Sequence, residues 1–302
     1  MLTIQKNVDL TNMTTLKMKA VAARLCVAKS REDIIEAQKE AQSQNQELLI
    51  LGGGSNTVLL QEQVDKFVVR NQYVQKKIVS ENDEYVDLSI SSGYPVGLLV
   101  NQTVKDGLSG FEYQLGLPGT VGGAIYMNSK WTKPFTYFGD NLISANLLTK
   151  EGTIKTVERD YFNFAYDYSI LQDTGEILLE AVFRMKRMDR EKLDALAKEA
   201  FAYRKETQPM GIATSGCFYQ NLSDEEVTRI GESTNSAGNL IDKAGLKGVS
   251  QGSFVVSDHH ANFILNQGGG QPEDLKKLLI KIKSTVKDKF NVELKEEVRL
   301  IQ

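Results

Sequence analysis

The sequence is poor in the residues that build metal centres and disulfide frameworks. Its 302 residues include only two cysteines, two histidines and one tryptophan. Cys26 and Cys217 are too few and too far apart for a disulfide framework or a cysteine-rich metal site. His259 and His260 are consecutive, so they cannot share the helix face on which paired zinc-binding histidines stand four residues apart. The composition therefore argues against a zinc enzyme and a secreted, disulfide-held fold, and we expect no bound metal.

A strong charge of one sign and a long apolar run are also missing. The 36 Lys and Arg residues nearly balance the 39 Asp and Glu residues, for a net charge of −3, which gives no positive field to gather nucleic acid. No apolar stretch approaches the ~20 residues needed to span a bilayer. The N-terminal residues lack the basic and apolar regions of a signal peptide. We expect a soluble, cytoplasmic protein with no nucleic-acid, membrane or obligate protein partner.

Hydrophobic periodicity predicts alternating strands and helices, and the length suggests two domains that meet near residue 190. The predicted strands are Glu47–Leu51, Lys66–Arg70, Tyr85–Ile90, the hairpin Leu142–Lys150 with Thr153–Val157, Glu176–Arg187, Ser253–Val256, Asn262–Leu265 and Val292–Ile301. The predicted helices are one capped by Ser30, Pro95–Lys105, Asp189–Thr207, Ala237–Ala244 and a lysine-rich helix with apolar positions from Leu275 to Phe290. The segment with Gly211 and Gly216 is predicted as a loop, and the lysines of the last helix as a solvated face.

Two glycine-rich segments are the most informative local feature. The first follows a predicted strand and comprises Gly52, Gly53, Gly54, Ser55 and Asn56. The second contains Pro118, Gly119, Thr120, Gly122 and Gly123. Glycines allow close backbone approach, so successive N–H groups can converge on a phosphate. The first cluster leads into an extended segment rather than a long helix, which disfavours a Rossmann site. One cluster alone could be a tight turn, but two in a chain without metal ligands favour a bound dinucleotide cofactor.

At these residues the chain resembles the UDP-N-acetylenolpyruvoylglucosamine reductases, in the shorter form of that family. The matching segments are Leu51–Asn56, Gly116–Ala124 with Met127-Asn128, Arg204–Pro209, Thr214–Asn221, Ala237–Gly248, His260–Asn266 and Glu297–Ile301. The resemblance implies an α+β fold with a two-lobed FAD-binding domain of the vanillyl-alcohol-oxidase type, split near residues 70–75, over residues 1–190. An α/β substrate-binding domain would follow over residues 191–302. It further implies NADPH-dependent reduction of a UDP-sugar through FAD, in the peptidoglycan synthesis that supports cell-wall formation, cell shape and cell division.

The resemblance also suggests roles for individual residues. Cys217 stands where the family motif has a serine proton donor, and a thiol is a stronger acid than an alcohol yet stays protonated near neutrality. Glu297 matches a carboxylate that assists at the enolic intermediate; its neighbour Glu296 would face away if the segment is a strand. Substrate binding is expected at Tyr166, Gln220 and Asn221. For both acids a structural role is the alternative.

One departure concerns charge. Asp167 replaces an arginine that the family places beside the substrate, and a carboxylate there would repel the substrate's own carboxylate unless it is paired or protonated. Another cation could take the role, with Arg184, Lys130 and Lys133 as candidates. Otherwise the substrate differs, as in a flavin- or UDP-sugar-binding paralogue with little reductase activity, or in an oxidase for another small molecule.

A second departure lies in the segment after Asn128, where Ser-Lys-Trp replaces the usual Ala-Gly. It brings in Trp131, which could contact the flavin or serve as an ordinary core aromatic. The adjacent family-like segment His260-Ala-Asn262 is interpreted as structural.

Overall fold

The computed structural model describes residues 2–302, which divide into two compact units. Unit 1 comprises the N-terminal residues up to Gln5, then Arg24–Gly53 and Lys66–Glu206. Unit 2 comprises Lys6–Ala23, Gly54–Asp65 and Thr207–Gln302. Each unit is therefore assembled from separate stretches of the chain.

Helices and strands alternate along the described residues. The helices are α1 (Arg31–Ser43), α2 (Val96–Lys105), α3 (Val121–Tyr126), α4 (Leu171–Thr174), α5 (Arg190–Thr207), α6 (Asp224–Ile230), α7 (Ala237–Lys243) and α8 (Pro272–Phe290). The strands are β1 (Ile4–Asp9), β2 (Val21–Ala28), β3 (Leu48–Leu51), β4 (Thr57–Leu59), β5 (Gln63–Asn71), β6 (Lys76–Glu81), β7 (Tyr85–Ser91), β8 (Leu108–Ser109), β9 (Lys130–Thr132), β10 (Phe135–Tyr137), β11 (Leu142–Leu148), β12 (Ile154–Glu158), β13 (Ile177–Arg187), β14 (Ala213–Cys217), β15 (Ser250–Gln251), β16 (Phe254–Val256), β17 (Phe263–Asn266) and β18 (Arg299–Ile301).

The centre of unit 1 is a six-stranded sheet of order β12-β11-β13-β7-β6, with β8 also paired to β13. The hairpin β11–β12 pairs antiparallel from Ser144 opposite Glu158 to Leu148 opposite Ile154, as the sequence predicts. A buried apolar cluster covers this sheet and includes residues of β7, α2, β13 and α5. Phe111, Phe138 and Phe183 form its aromatic centre, with ring centroids 4.7–5.7 Å apart.

A second apolar cluster in unit 1 buries α1 against neighbouring strands. Ser30 caps α1, accepting a hydrogen bond from the amide of Asp33, whose carboxylate accepts one from the Ser30 amide in return. Ile34, Ala37 and Ala41 then face the cluster, which is the spacing of one helix face. A four-stranded sheet of order β1-β2-β5-β3 contains the parallel pair β3–β5.

Unit 2 is built on the antiparallel sheet β14-β17-β16-β15. The apolar stripe of α8 (Leu275, Leu278, Leu279, Ile282 and Val286) is buried in its core together with residues of α7, as the sequence predicts. The short strand β18 runs parallel to β4, with Leu300 opposite Val58. The core also contains Leu16, Met18, Val58 and Leu60, which come from the two short N-terminal stretches of the unit.

The structure corrects several details of the sequence-based prediction. Residues 292–298 are not a strand: Val292, Leu294 and Val298 alternate into the core, but only β18 at the end of the predicted strand Val292–Ile301 forms a ladder. The segment predicted as a loop around Gly216 contains β14. Pro95 is the N-cap of α2 rather than its first helical residue. The buried face of α5 contains Leu193, Ala197, Ala200 and Arg204.

The expected domain boundary near residue 190 falls at the start of α5 and stays a prediction. Within residues 2–302, no helix is long and apolar enough to cross a membrane.

Candidate active site

The two glycine-rich segments meet inside unit 1. A Cβ atom added to Gly53 would lie 2.5 Å from the Cα of Gly119, and one added to Gly52 would lie 2.4 Å from the Oγ1 of Thr120. Neither gap admits a Cβ: Gly53 is required by the close approach of the Gly119 backbone, and Gly52 by the Thr120 side chain. The two loops therefore pack directly against each other and form one surface.

Neighbouring residues fix this surface. Thr120 is the N-cap of α3 and accepts a hydrogen bond from the amide of Gly123 at 3.5 Å. The amide of Gly122 donates to the carbonyl of Ser92, and a Cβ added to Gly122 would lie 3.0 Å from the Cβ of Ser92, which is a tight contact. Pro118 precedes Gly119, whose φ of +115° favours glycine. The segment thus presents backbone rather than side chains, which suits a large phosphate-bearing cofactor.

Arg70 lies beside the first glycine segment, and the sequence motifs do not identify it. It ends the register of the parallel pair β3–β5 opposite Leu51, and its guanidinium donates a hydrogen bond to the carbonyl of Gly52. Parallel strands end at the same edge of a sheet. A predicted pairing of Glu47–Leu51 with Lys66–Arg70 would therefore have placed this cation beside the first glycine segment. Burial lowers the pKa of Arg70, although an arginine side chain keeps its charge at neutral pH.

In unit 2, the first glycine segment continues through Gly54, Ser55 and Asn56. Gly54 has a φ of +65°, and a Cβ there would lie 2.2 Å from the carbonyl oxygen of Met13. Asn56 donates its side-chain amide to the carbonyl of Glu297 at 3.1 Å, and its own carbonyl accepts from the amide of Arg299 at 2.8 Å. The end of the glycine segment is thus tied to the segment that carries Glu297.

Cys217 is the last residue of β14 and is half-buried. The pairing of β14 with β17 is irregular between Thr214 and Cys217, and Gly216 within this bulge has a φ of +81°. Bulges redirect the following side chain and are common beside active sites. The other cysteine, Cys26, is fully buried in the core of unit 1, and burial raises its pKa to about 12.

Glu297 lies against the residue that follows Cys217. Its backbone amide donates to the carbonyl of Phe218 at 2.8 Å, which brings together two segments 79 positions apart in the sequence. The adjacent Glu296 forms an ion pair with Lys283 of α8 at 2.7 Å. Glu296 is therefore engaged with α8.

In unit 1, Asp167 is almost completely buried and forms an ion pair with Lys130, with 2.5 Å between Lys130 Nζ and Asp167 Oδ1. The other two candidate cations lie elsewhere. Arg184 makes a two-pronged ion pair with Asp87, and Lys133 lies 4.3 Å from the centre of the Tyr203 ring. Of the three candidate cations, Lys130 is therefore the one that pairs with Asp167.

The expected substrate-binding residues are spread over both units. Tyr166 precedes Asp167, and its ring centre lies 4.0 Å from Lys130 Nζ. Gln220 donates its backbone amide to the carbonyl of Lys295 at 2.8 Å, and the side-chain oxygen of Asn221 accepts from the backbone amide of Ala237 at 3.3 Å. Gln220 and Asn221 follow Cys217 by three and four positions, and their hydrogen bonds tie this segment to Lys295 and to the start of α7.

Trp131 and Asn262 both have structural surroundings. Trp131 is buried, meets Tyr203 edge-on and lies under the guanidinium of Arg204, with 4.8 Å between that group and its ring centre. Asn262 is buried and bonds both backbone groups of Tyr219 through its side-chain amide, at 2.7 and 3.0 Å. The geometry of Asn262 fits the structural interpretation of its segment.

Comparisons with known proteins match two family models to separate parts of the chain. Residues 22–158 match the model of an FAD-binding domain, and residues 208–301 match that of the C-terminal domain of UDP-N-acetylenolpyruvoylglucosamine reductase. The reductase of Bacillus pumilus is 33% identical over 99% of this chain and 94% of its own length, and that of Bacillus subtilis is 30% identical over 98% and 93%. The solved structure of the Thermus caldophilus reductase superimposes with a TM-score of 0.82 at 26% identity, covering all of both chains.

The α+β fold, the FAD-binding domain and the converging glycine loops define an FAD-dependent oxidoreductase. More particularly, the chain belongs to the UDP-N-acetylenolpyruvoylglucosamine reductase family. The resemblance deduced from the sequence is confirmed, and the paralogue without reductase activity is not favoured.

Proposed function

We propose that this chain reduces UDP-N-acetylenolpyruvoylglucosamine to UDP-N-acetylmuramate with NADPH and FAD, using Cys217 as proton donor and Glu297 as assisting acid. The observation that carries the assignment of residues is the hydrogen bond from the Glu297 amide to the Phe218 carbonyl, which joins the two acid-bearing segments. The reaction belongs to the synthesis of peptidoglycan precursors, and we place it in the cytoplasm.

The chain's own main-chain surface is the proposed cofactor site. Gly52, Gly53, Gly119 and Thr120 would hold FAD, together with Gly54, Ser55, Asn56, Pro118, Gly122 and Gly123. The two loops pack so closely that neither Gly52 nor Gly53 can carry a side chain. Their backbone N–H groups are therefore the groups available to bind a pyrophosphate. When bound, FAD supplies the hydride transfer from NADPH to the enol ether carbon of the substrate.

The protein supplies the proton that completes the reduction. Hydride addition to one carbon of an enol ether leaves negative charge on the neighbouring carbon, and a positioned acid is required to neutralise it. Such general acid catalysis contributes on the order of 10²–10⁴-fold. Cys217 would donate from Sγ; its place at the irregular end of β14, a feature common beside active sites, supports this role. Glu297 would hold the enolic intermediate in place through its carboxyl group.

The experiment separates the two halves of the reaction. We expect the purified protein to be yellow and to oxidise NADPH faster when the enolpyruvyl nucleotide is added. Cys217→Ala should keep flavin reduction by NADPH and lose flavin reoxidation by the substrate by about 10²-fold or more. Stopped-flow absorbance of the flavin, followed in each direction, measures both rates.

Two controls sharpen the interpretation. Cys217→Ser supplies a weaker acid of similar shape and should recover part of the reoxidation rate. Cys26→Ala removes the other, fully buried thiol and should leave both half-reactions unchanged. Equal loss of both halves in Cys217→Ala would refute the role of Cys217 as proton donor. If the enolpyruvyl nucleotide leaves NADPH consumption of the wild type unchanged, the substrate assignment itself is wrong.

A further inference from the structure

Lys130 and Asp167 form a buried ion pair in unit 1. The side chain of Lys130 is 14% exposed and that of Asp167 is 4% exposed. Removing two charges from water costs several kcal/mol per ion, and apolar side chains of similar size often stabilise a fold as well or better. A buried pair of this kind is therefore weak evidence for a purely stabilising role.

The surroundings of Lys130 hold its ammonium group in one place. Lys130 begins β9 and lies opposite Tyr137 in the β9–β10 hairpin. Its Nζ lies 4.0 Å from the ring centre of Tyr166, a distance at which a cation is attracted to an aromatic face. Asp167 Oδ1 accepts a hydrogen bond from this ammonium group at 2.5 Å.

The turn that carries Asp167 is held just as firmly. Ala165 and Tyr168 bond each other in both directions, and the Asp167 carbonyl accepts from the Gln172 side chain at 2.9 Å. Asn128, two positions before Lys130, donates its side-chain amide to the Ala165 carbonyl at 3.1 Å. Asp167 itself has a φ of +52°, a conformation that Asp adopts more readily than most residues. The turn and β9 are therefore fixed to each other on both sides of the ion pair.

We propose that Lys130 binds the carboxylate of the enolpyruvyl substrate in this chain, and that Asp167 is a positioning residue that holds the Lys130 ammonium in place. The proposal rests on the proposed function, since it names the cation for that same substrate. It accounts for the two departures of the sequence together: the arginine is missing at position 167 and a lysine stands at position 130, and these two residues are in contact. A cation on β9 thereby takes the place of a cation on the turn.

Affinity, rather than turnover alone, tests the proposal. Oxidised protein is titrated with the enolpyruvyl nucleotide and with UDP-N-acetylglucosamine, which lacks the enolpyruvyl carboxylate, and the flavin absorbance change or the heat of binding gives each dissociation constant. Lys130→Met should weaken binding of the enolpyruvyl nucleotide by about 10–100-fold, because a hydrogen bond to a charged group is lost. Binding of UDP-N-acetylglucosamine should change by less than about twofold. A merely structural lysine would affect both ligands alike.

One variant separates lost attraction from new repulsion. Lys130→Met leaves the Asp167 carboxylate without the Lys130 cation, and that charge could itself repel the substrate. The double variant Lys130→Met, Asp167→Asn removes both charges, and removal of both partners is well tolerated by a fold. We expect the double variant to bind the enolpyruvyl nucleotide at least tenfold more weakly than the wild type. Binding equal to the wild type would overturn the proposal.

Two further variants complete the set. Lys130→Arg keeps the charge and should bind the enolpyruvyl nucleotide within about tenfold of the wild type, whereas Lys133→Met removes a nearby lysine of the same hairpin and should leave both affinities unchanged. A thermal unfolding curve for each variant verifies that it is folded. Failure of the wild type to reduce the substrate would count against the proposed function; a competent wild type with an unaffected Lys130→Met would count against this inference alone.

Discussion

Glu180, a buried carboxylate in the middle of β13, is the centre of a hydrogen-bonded group in unit 1. It accepts from Arg31 Nε at 2.8 Å, from the hydroxyl of Tyr73 at 2.7 Å and from the side-chain amide of Asn146 at 3.3 Å. Burial raises the pKa of Glu180, but the hydrogen bonds from Arg31 and Tyr73 outweigh it and hold the pKa below its ordinary value. The ionised form is therefore the one that stabilises the fold.

Replacing this carboxylate should cost stability in a pH-dependent way. Glu180→Gln keeps the shape but leaves Arg31 without its counter-charge, and we expect the free energy of unfolding at pH 7 to fall by about 2–3 kcal/mol. A depressed pKa stabilises the fold above the pKa of the unfolded state and ceases to do so as pH falls through that of the folded state. The difference between variant and wild type should thus shrink below about pH 4. Urea denaturation at both pH values checks this, and a difference independent of pH would contradict it.

At the scale of elements, the contact between the two glycine loops of unit 1 leaves no space for a side chain at Gly53. Gly53→Ala would force the backbone away from Gly119, and such overpacking costs about 1–3 kcal/mol. We expect the variant to purify with less bound FAD, measured by the ratio of flavin to protein absorbance, and to melt at a lower temperature.

The matched control lies in α2. A Cβ on Gly97 would meet nothing within 4 Å, and alanine favours helices over glycine by up to about 1 kcal/mol. Gly97→Ala should therefore keep its FAD and melt at the same or a slightly higher temperature. Equal FAD content in the two variants would mean that the loop contact does not shape the cofactor site.

Elements with a clear period were predictable from the sequence. The capped start of α1, the hairpin β11–β12 and the apolar stripe of α8 follow from local pattern and capping chemistry alone. Residues 292–298 were mistaken for a strand because alternating burial is not sufficient for one. These residues make isolated hydrogen bonds instead of a ladder, such as the one that the Gln220 backbone amide donates to the Lys295 carbonyl. Only tertiary pairing decides whether such a segment joins a ladder.

The candidate site was predictable to the same degree. The motifs identified Cys217, Glu297 and the two glycine clusters as separate features. That the glycine clusters touch, and that Arg70 serves one of them, depends on strand register and loop packing. The cation beside Asp167 was left among three candidates, because a contact between positions 130 and 167 leaves no local trace in the sequence.

At the scale of the whole molecule, unit 2 is discontinuous in the chain. Its core takes Leu16, Met18, Val58 and Leu60 from the two N-terminal stretches, and β18 pairs with β4 from one of them. Asn266 donates its side-chain amide to the carbonyls of Leu16 and Lys17. The C-terminal third of the sequence is therefore an incomplete structure by itself.

A fragment of residues 207–302 should accordingly fail to fold alone. It lacks four core side chains, each worth about 1.5–3 kcal/mol when buried, against a total stability of only about 5–15 kcal/mol for an ordinary domain. We expect a poorly dispersed NMR spectrum and no cooperative unfolding transition, while the full chain treated in parallel shows both dispersion and a sharp transition. A fragment that unfolds cooperatively would show that the N-terminal stretches are dispensable to this unit.

The side-chain amide of Asn56 has a consequence for how the protein is loaded. It bonds the Glu297 carbonyl while its own backbone bonds Arg299, so the tail of the first glycine segment and the acid-bearing segment share hydrogen bonds. A ligand that binds only the folded form stabilises whatever is ordered with its site, by about 2.7 kcal/mol at a hundredfold excess over its dissociation constant. If FAD binds the Gly52–Asn56 segment as proposed, part of this stabilisation would also apply to the Glu297 segment, which is hydrogen-bonded to Asn56. Cofactor binding and the ordering of the segment that carries Glu297, the proposed acid, would then be thermodynamically linked through Asn56.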